Sequence, residues 1–369
     1  MLPGIAIETA VARRGHALCS HGGNGTNRGR PMATWLRLAG AVAALGMVAP
    51  AAAQTDVRFA LDWKFEAPSA PYFVALDKGY YAEEGLDVSI DSGSGSTQTI
   101  PRIATGNYDM GFGDINSLIK FKDQNPDAGV IGVMMTYETP PFAIVSIAGN
   151  GIDAADAKSV EGKTLGAPPP DAAYAQWPIF VAVNDIDTAT IDIENVGFPV
   201  REPMLAAGDV DGIFGFSFSS YQNLKANDVP GEDIVVMLMA DHGLALYGNA
   251  VLANTDFAAE HPEAVAGFIR ATIKGWRDTV ADPAAAIPHV LERNDVARAE
   301  IELDRLNMVI RDNVLTSVVA EEGIGGVDMA RLARSIEQIA LAYDYTDRPE
   351  AEAIFTDAYL PPAEARQID

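Results

Sequence analysis

Residues 57–90 read VRFALDWKFEAPSAPYFVALDKGYYAEEGLDVSI. Val57-Arg58-Phe59-Ala60-Leu61 alternates with the two-residue repeat of a strand. Ser69-Ala70-Pro71 then opens a helix, with Ser69 as N-cap and Pro71 in the first turn. Phe73, Val74 and Ala75 lie inside that helix, and Gly79 ends it. Leu86 to Ile90 alternates again, a second strand. Working outward, Gly93-Ser94-Gly95-Ser96-Thr97 is a small-residue loop before a helix around Gln98–Thr105. Tyr108–Phe112 is a strand, Asp114 caps a helix over Ile115–Phe121, and Val130–Met135 is a buried strand. The alternation continues. Strands are expected ending at Gly166 and over Ile191–Val196, Val210–Gly215, Ile234–Met239 and Asn249–Leu252. Helices are expected from Pro168–Asp171 through Trp177 and over Met204–Ala207. In the last third Pro262 and Pro283 each start a helix, and Val265, Phe268, Ile269, Thr272 and Trp276 share one face of the first.

This order predicts an α/β fold with mostly parallel sheets. No repeat and no low-complexity linker divides the chain, so two lobes with the chain crossing between them more than once are expected, a two-lobed binding fold with a hinge and a cleft. Lobe one is expected over residues 56–143 plus 247–340 and lobe two over 144–246, with crossings near Ala143–Ile147 and Tyr247–Val251. Residues 341–369 form a tail packing on lobe one. Ligands of such folds sit outside the carboxyl ends of the strands.

Composition narrows the function. Lys and Arg total 26 and Asp and Glu 51, a net charge of −25, which excludes a phosphate-backbone binder. Residues 32–53, MATWLRLAGAVAALGMVAPAAA, read as a secretory signal peptide: Arg37, an apolar run from Leu38 to Val48, then a small-residue cleavage site at Ala51–Ala53. Residues 1–31 lack such a pattern and are expected to be a mis-called extension, with Met32 the true start. The mature chain then begins near Gln54 without Cys19, the sole cysteine, so neither a disulfide framework nor a lipid anchor is expected. The product is exported, acidic and without a spanning segment, a periplasmic monomer that binds no nucleic acid.

Catalytic signatures are missing. His242, His261 and His289 form no metal-spaced pair, Gly215-Phe216-Ser217-Phe218-Ser219 lacks the closing glycine of a nucleophile elbow, and neither a Walker loop nor G-x-G-x-x-G is present. No catalytic residue, metal or cofactor is expected.

Five segments in order resemble solute-binding proteins of ABC importers, of the nitrate/sulfonate/taurine type: Gly79–Val88, Ala104–Gly111, Glu161–Gly166, Ala206–Gly212, and His261–Val265 with Phe268, Arg270 and Ala271. Leu61-Asp62-Trp63 and Ala70–Ala75 look closest to the branch that binds thiamine pyrimidine precursors, which carries Asn and His where this chain has Asp62 and Ser69. Related pyrimidine synthases use such a histidine as a substrate donor together with a cysteine-rich motif, so the resemblance implies a binding protein rather than an enzyme. It also implies the two-lobed periplasmic binding fold and a transient inner-membrane permease partner.

The expected ligand contacts follow strand ends. Trp63 stacks on a flat ring or sits in the core; Asp62 and Glu66 accept from a ligand amino group, Glu66 and Glu138 alternatively facing water. Asp114 and Asn116 either bind or merely cap a helix. Tyr174 and Trp177 either reach the cleft or pack, Trp177 more readily packing. Phe216, Ser217 and Phe218 follow a strand, and Tyr247 and Asn249 flank the return to lobe one. The expected function is capture of a small planar heteroaromatic such as a thiamine pyrimidine precursor. The alternatives are a sulfonate, nitrate or carboxylate held by Ser94, Ser96 and Thr97 with Lys64, Arg102 or Arg201, or an exported enzyme on the same fold. A peptide map of the precursor is expected to contain nothing from upstream of Met32.

Overall fold

The computed structural model describes residues 54–368; the extension, the signal peptide and Cys19 lie outside them. Ten strands form two five-stranded sheets. The first holds β1 (Thr55–Ala60), β2 (Leu86–Asp91), β3 (Met110–Asp114), β4 (Val130–Met135) and β10 (Asn249–Asn254), ordered β2-β1-β3-β10-β4. The second holds β5 (Phe142–Ile147), β6 (Thr164–Ala167), β7 (Asp192–Asn195), β8 (Gly212–Phe216) and β9 (Ile234–Leu238), ordered β7-β6-β8-β5-β9. The two orders are the same pattern.

Both sheets are mostly parallel, as expected, with one antiparallel strand in each that makes them mixed. β1 pairs parallel with β2 and β3, and β6 with β7 and β8. β10 and β5 run antiparallel to both of their neighbours. The reason is the shortness of the crossings. A parallel return needs a dozen or more residues, and residues 136–141 and 239–248, six and ten, are too few. Each crossing therefore delivers its strand at the carboxyl ends of the parallel set. These segments also lie earlier than expected: Ala143–Ile147 is strand, paired with both β8 and β9, and Val251 is strand within β10.

The first sheet is backed by the helices Ala70–Asp77 and Pro262–Ala281. Phe59 lies 4.9 Å from both Tyr72 and Phe268, and Tyr81 stacks on Phe268. Val265, Phe268, Ile269, Thr272 and Trp276 are all buried, the face given by their spacing. Ser69 makes no capping hydrogen bond, because a 3-10 turn over Ala67–Ser69 already leads into the helix. Gly79 turns the chain with φ of 78°. At the edge of β4 the tail's Phe355 bridges Gly132, and Gly325, ahead of the tail, bridges Met135, blunting an edge open to strand addition. No helix among the described residues is long and apolar enough to cross a membrane.

The Ala70–Asp77 and Pro262–Ala281 helices touch at Gly275, where a Cβ would lie 2.1 Å from the Pro71 carbonyl oxygen. Gly275→Ala is therefore expected to destabilise the protein by about 1–3 kcal/mol through overpacking, read as a lower urea midpoint with an unchanged slope.

Candidate ligand-binding cleft

The carboxyl ends of both parallel strand sets face one partly open cavity, the place where such folds bind ligands. From the first sheet come Asp62, Trp63 and Glu66 after β1, Phe112 in β3 and Tyr137 after β4. From the second come Asp171 after β6, Phe198 after β7, and Phe216 and Phe218 at the end of β8. Phe216 is the last residue of β8 rather than the residue after it, and Ser217 opens the Ser217–Ala226 helix.

Six aromatic rings form the walls. Trp63 meets Phe198 edge-on at 4.4 Å. Phe112, Tyr137, Phe218 and Phe216 continue as a chain of edge contacts at 5.3, 5.9 and 5.8 Å. The buried Trp63 Nε1 donor has no acceptor among the described residues.

Asp62 is the polar centre. Ser96 Oγ and Asn249 Nδ2 both donate to its Oδ2, at 2.8 and 2.7 Å, and its Oδ1 accepts no side-chain bond from the described residues. Among the described residues no cation pairs with it. Burial pushes its pKa up to about 6, against the pull of those two donors, and Asp114 raises it further. The glycine-rich loop is a bracket for this residue: Gly95 N–H donates to the Asp62 carbonyl at 2.7 Å and Gly93 N–H to the Trp63 carbonyl at 2.9 Å. A Cβ on Gly93 would lie 2.2 Å from the Leu61 carbonyl oxygen, so only glycine allows this approach.

Most atoms suited to an anion are already engaged. Ser96 donates to Asp62 and Thr97 to the Pro170 carbonyl. Arg102 is bonded to Tyr108 at 2.6 Å. Arg201 lines the cavity but is paired with Asp171 at 3.1 Å and Glu202 at 2.5 Å. Lys64 lines the cavity at its exposed side and pairs with no acid among the described residues, its Nζ 5.3 Å from the centre of the Trp63 ring.

Of the residues expected here, Asp62, Trp63, Glu66, Phe216 and Phe218 line the cavity; Asp114, Asn116, Tyr174, Ser217, Tyr247 and Asn249 do not. Asp114 caps the Ile115–Gln124 helix, accepting from the Asn116 and Ser117 amides and the Ser117 hydroxyl. Asn116 donates to Asp114 and to the Tyr247 carbonyl. Asn249 supports the site by holding Asp62. Tyr174 and Trp177 pack on Phe214, at 5.1 and 5.3 Å. Tyr247 lies under Arg331, 3.9 Å from its ring, and Arg331 also pairs with Glu138. Arg331 further donates to the Glu138 and Leu246 carbonyls, tying the two crossing segments together. Sequence reasoning missed Phe112, Tyr137, Phe198 and Asp171. Phe198 follows a strand, the same signal that pointed to Trp63.

A family model described as "NMT1/THI5 like" matches residues 67–286. The chain belongs to the NMT1/THI5-like family. Within reach of this family, the chain is 24% identical over 299 residues to the riboflavin-binding protein RibY of Chloroflexus aurantiacus, covering 79% of this chain and 82% of that one. It is 27% identical over 312 residues to the formylaminopyrimidine-binding protein of Halalkalibacterium halodurans, covering 82% and 89%. It is also 24% identical to 4-amino-5-hydroxymethyl-2-methylpyrimidine phosphate synthase of Aspergillus parasiticus, over 65% of this chain and 71% of the enzyme. The fold is shared with the periplasmic aliphatic sulphonate binding protein SsuA of Escherichia coli, with a TM-score of 0.65 at 13% identity, covering 83% of this chain and 99% of that one. The NMT1/THI5-like chain thus carries the periplasmic binding protein fold.

The raised Asp62 pKa has a sign. The folded state holds this proton more tightly than the unfolded chain, so its contribution to stability is present below the unfolded value of 3.8 and is lost as pH rises through about 6. Calorimetric melting of wild type and Asp62→Asn is expected to show wild type losing ground to the variant between pH 4 and 6.5, with a constant difference above pH 7.

Proposed function

We propose that this protein is the substrate-binding component of an ABC importer, capturing in the periplasm a planar, neutral or protonated heteroaromatic of the aminopyrimidine class and presenting it to a membrane permease. The observation that carries this reading is Asp62, a buried carboxylate with no cation, set beside Trp63 in a cavity walled by aromatic rings. A ring amino or N–H group supplies the missing donor, and a charge-assisted bond of this kind contributes about 1.5–3 kcal/mol. A flat ring fills the space beside Trp63 and Phe198, and an acceptor on it satisfies Trp63 Nε1. An anionic ligand would meet Asp62, Glu66 and Asp171 with no uncommitted buried cation to offset them. The relatives named for riboflavin and formylaminopyrimidine support a heteroaromatic ligand, and their names as binding proteins support transport. Some relatives carry enzyme names. Against chemistry here stands the lining itself: Ser69 occupies the cavity position where the resemblance expects histidine, and no histidine lines the cavity.

Titration calorimetry of wild type with formylaminopyrimidine, riboflavin, taurine and nitrate tests this. Wild type is expected to bind formylaminopyrimidine, recovered unchanged by mass spectrometry, and to bind neither anion. Trp63→Ala is expected to weaken that binding about 10- to 100-fold, from the loss of about 1.5–3 kcal/mol of apolar contact. Binding of the anions alone, or an unweakened Trp63→Ala, would overturn the reading.

A further inference from the structure

Beside the cavity runs a chain of ionic groups, joined through the half-buried amide of Asn223, that crosses from one lobe to the other. On the second-lobe side, Asp171 lines the cavity and pairs with Arg201, which pairs in turn with Glu202. Glu202 Oε1 accepts from Asn223 Nδ2 at 3.4 Å. Asn223 lies on the Ser217–Ala226 helix, and its Oδ1 accepts from Arg305 Nη2 at 3.0 Å. Arg305 belongs to the Ala299–Val309 helix, whose Leu306 and Val309 are buried in the first lobe's core. On that side Arg305 pairs with Glu302 at 3.2 Å and with the cavity residue Glu66 at 3.4 Å.

Three features make this more than packing. The chain ends on a cavity carboxylate at each side, Asp171 and Glu66, so both ends lie where a ligand sits. Arg305 spans the lobes: besides Asn223, it donates from Nη1 to the Ser219 carbonyl at 3.2 Å. Glu302, its partner, accepts from the Ala67 amide at 2.6 Å and so fixes the loop that carries Glu66. Breaking the lobe contact would leave the guanidinium with fewer partners in a buried place, where an unpaired charge is costly.

We infer that Asn223 and Arg305 form a latch that couples cavity occupancy to lobe closure, with Glu66 as the group through which the ligand acts on it. Arg305 and Asn223 are positioning residues; neither lines the cavity. This rests on the cavity being the ligand site. A ligand that satisfies Glu66 in the closed form stabilises the arrangement in which Arg305 meets both lobes. Its affinity then scales with the fraction of protein able to close.

The test uses Arg305→Met and Asn223→Leu. Asn223→Leu keeps the direct Arg–carboxylate pairs, and it decides the matter if Arg305→Met does not fold. Small-angle scattering of the ligand-free protein is expected to show a larger radius of gyration for the variants than for wild type. Stopped-flow binding of formylaminopyrimidine is expected to show a dissociation rate raised about tenfold with little change in association, as when the closed population falls to about a tenth. Unchanged scattering together with a lowered melting temperature means packing only and overturns the latch. Altered scattering with an unchanged dissociation rate overturns the coupling to the cavity. If wild type binds neither formylaminopyrimidine nor riboflavin, the ligand reading and the coupling both fail, while scattering still decides whether the latch holds the lobes.

Discussion

The arrangement of the cleft follows from two short crossings between the sheets. Residues 136–141 and 239–248 carry the chain from one sheet to the other and back. Each inserts a strand antiparallel among parallel ones, and so turns the carboxyl ends of β1, β3, β6 and β8 toward the same space. The loops after β1, β6 and β7 carry Asp62, Trp63, Asp171 and Phe198, while helices start directly after β3 and β8. Arg331 braces both crossings from the Met329–Ile339 helix by holding one carbonyl of each.

The interior around the cavity is rich in acid and poor in free cation. Two guanidiniums, Arg201 and Arg305, serve Asp171, Glu202, Glu66 and Glu302 between them, while Asp62 has only hydroxyl and amide donors. A buried charge without a counter-charge costs stability. Asp62 carries that cost in a cavity walled by aromatic rings.

How far the residues alone led depends on range. The Pro262–Ala281 helix and its buried face were legible because 3.6-residue spacing is local. Strands β1, β2, β4 and β10 were legible from alternation or apolar runs. In the cleft, Asp62, Trp63 and Glu66 were accessible from the strand-end rule. The same rule misplaced Asp114, whose carboxylate is consumed by its own helix start, and Tyr247, whose ring is taken by Arg331. Tyr137 escaped notice because its significance depends on Phe112 and Phe218, which reach it only across the fold.

By itself the sequence determined the alternation of strands and helices, the acidity, the absence of metal and nucleophile signatures, and the family motifs, since each is written in neighbouring residues. Only the tertiary structure decided which polar groups remain free. Ser96 and Thr97 look like anion donors until Asp62 and the Pro170 carbonyl engage them, and Arg201 looks available until Asp171 and Glu202 close on it. Hydrogen-bonding capacity is finite and is assigned by contacts between residues tens of positions apart, so the charge a site offers its ligand is known only after the chain has folded.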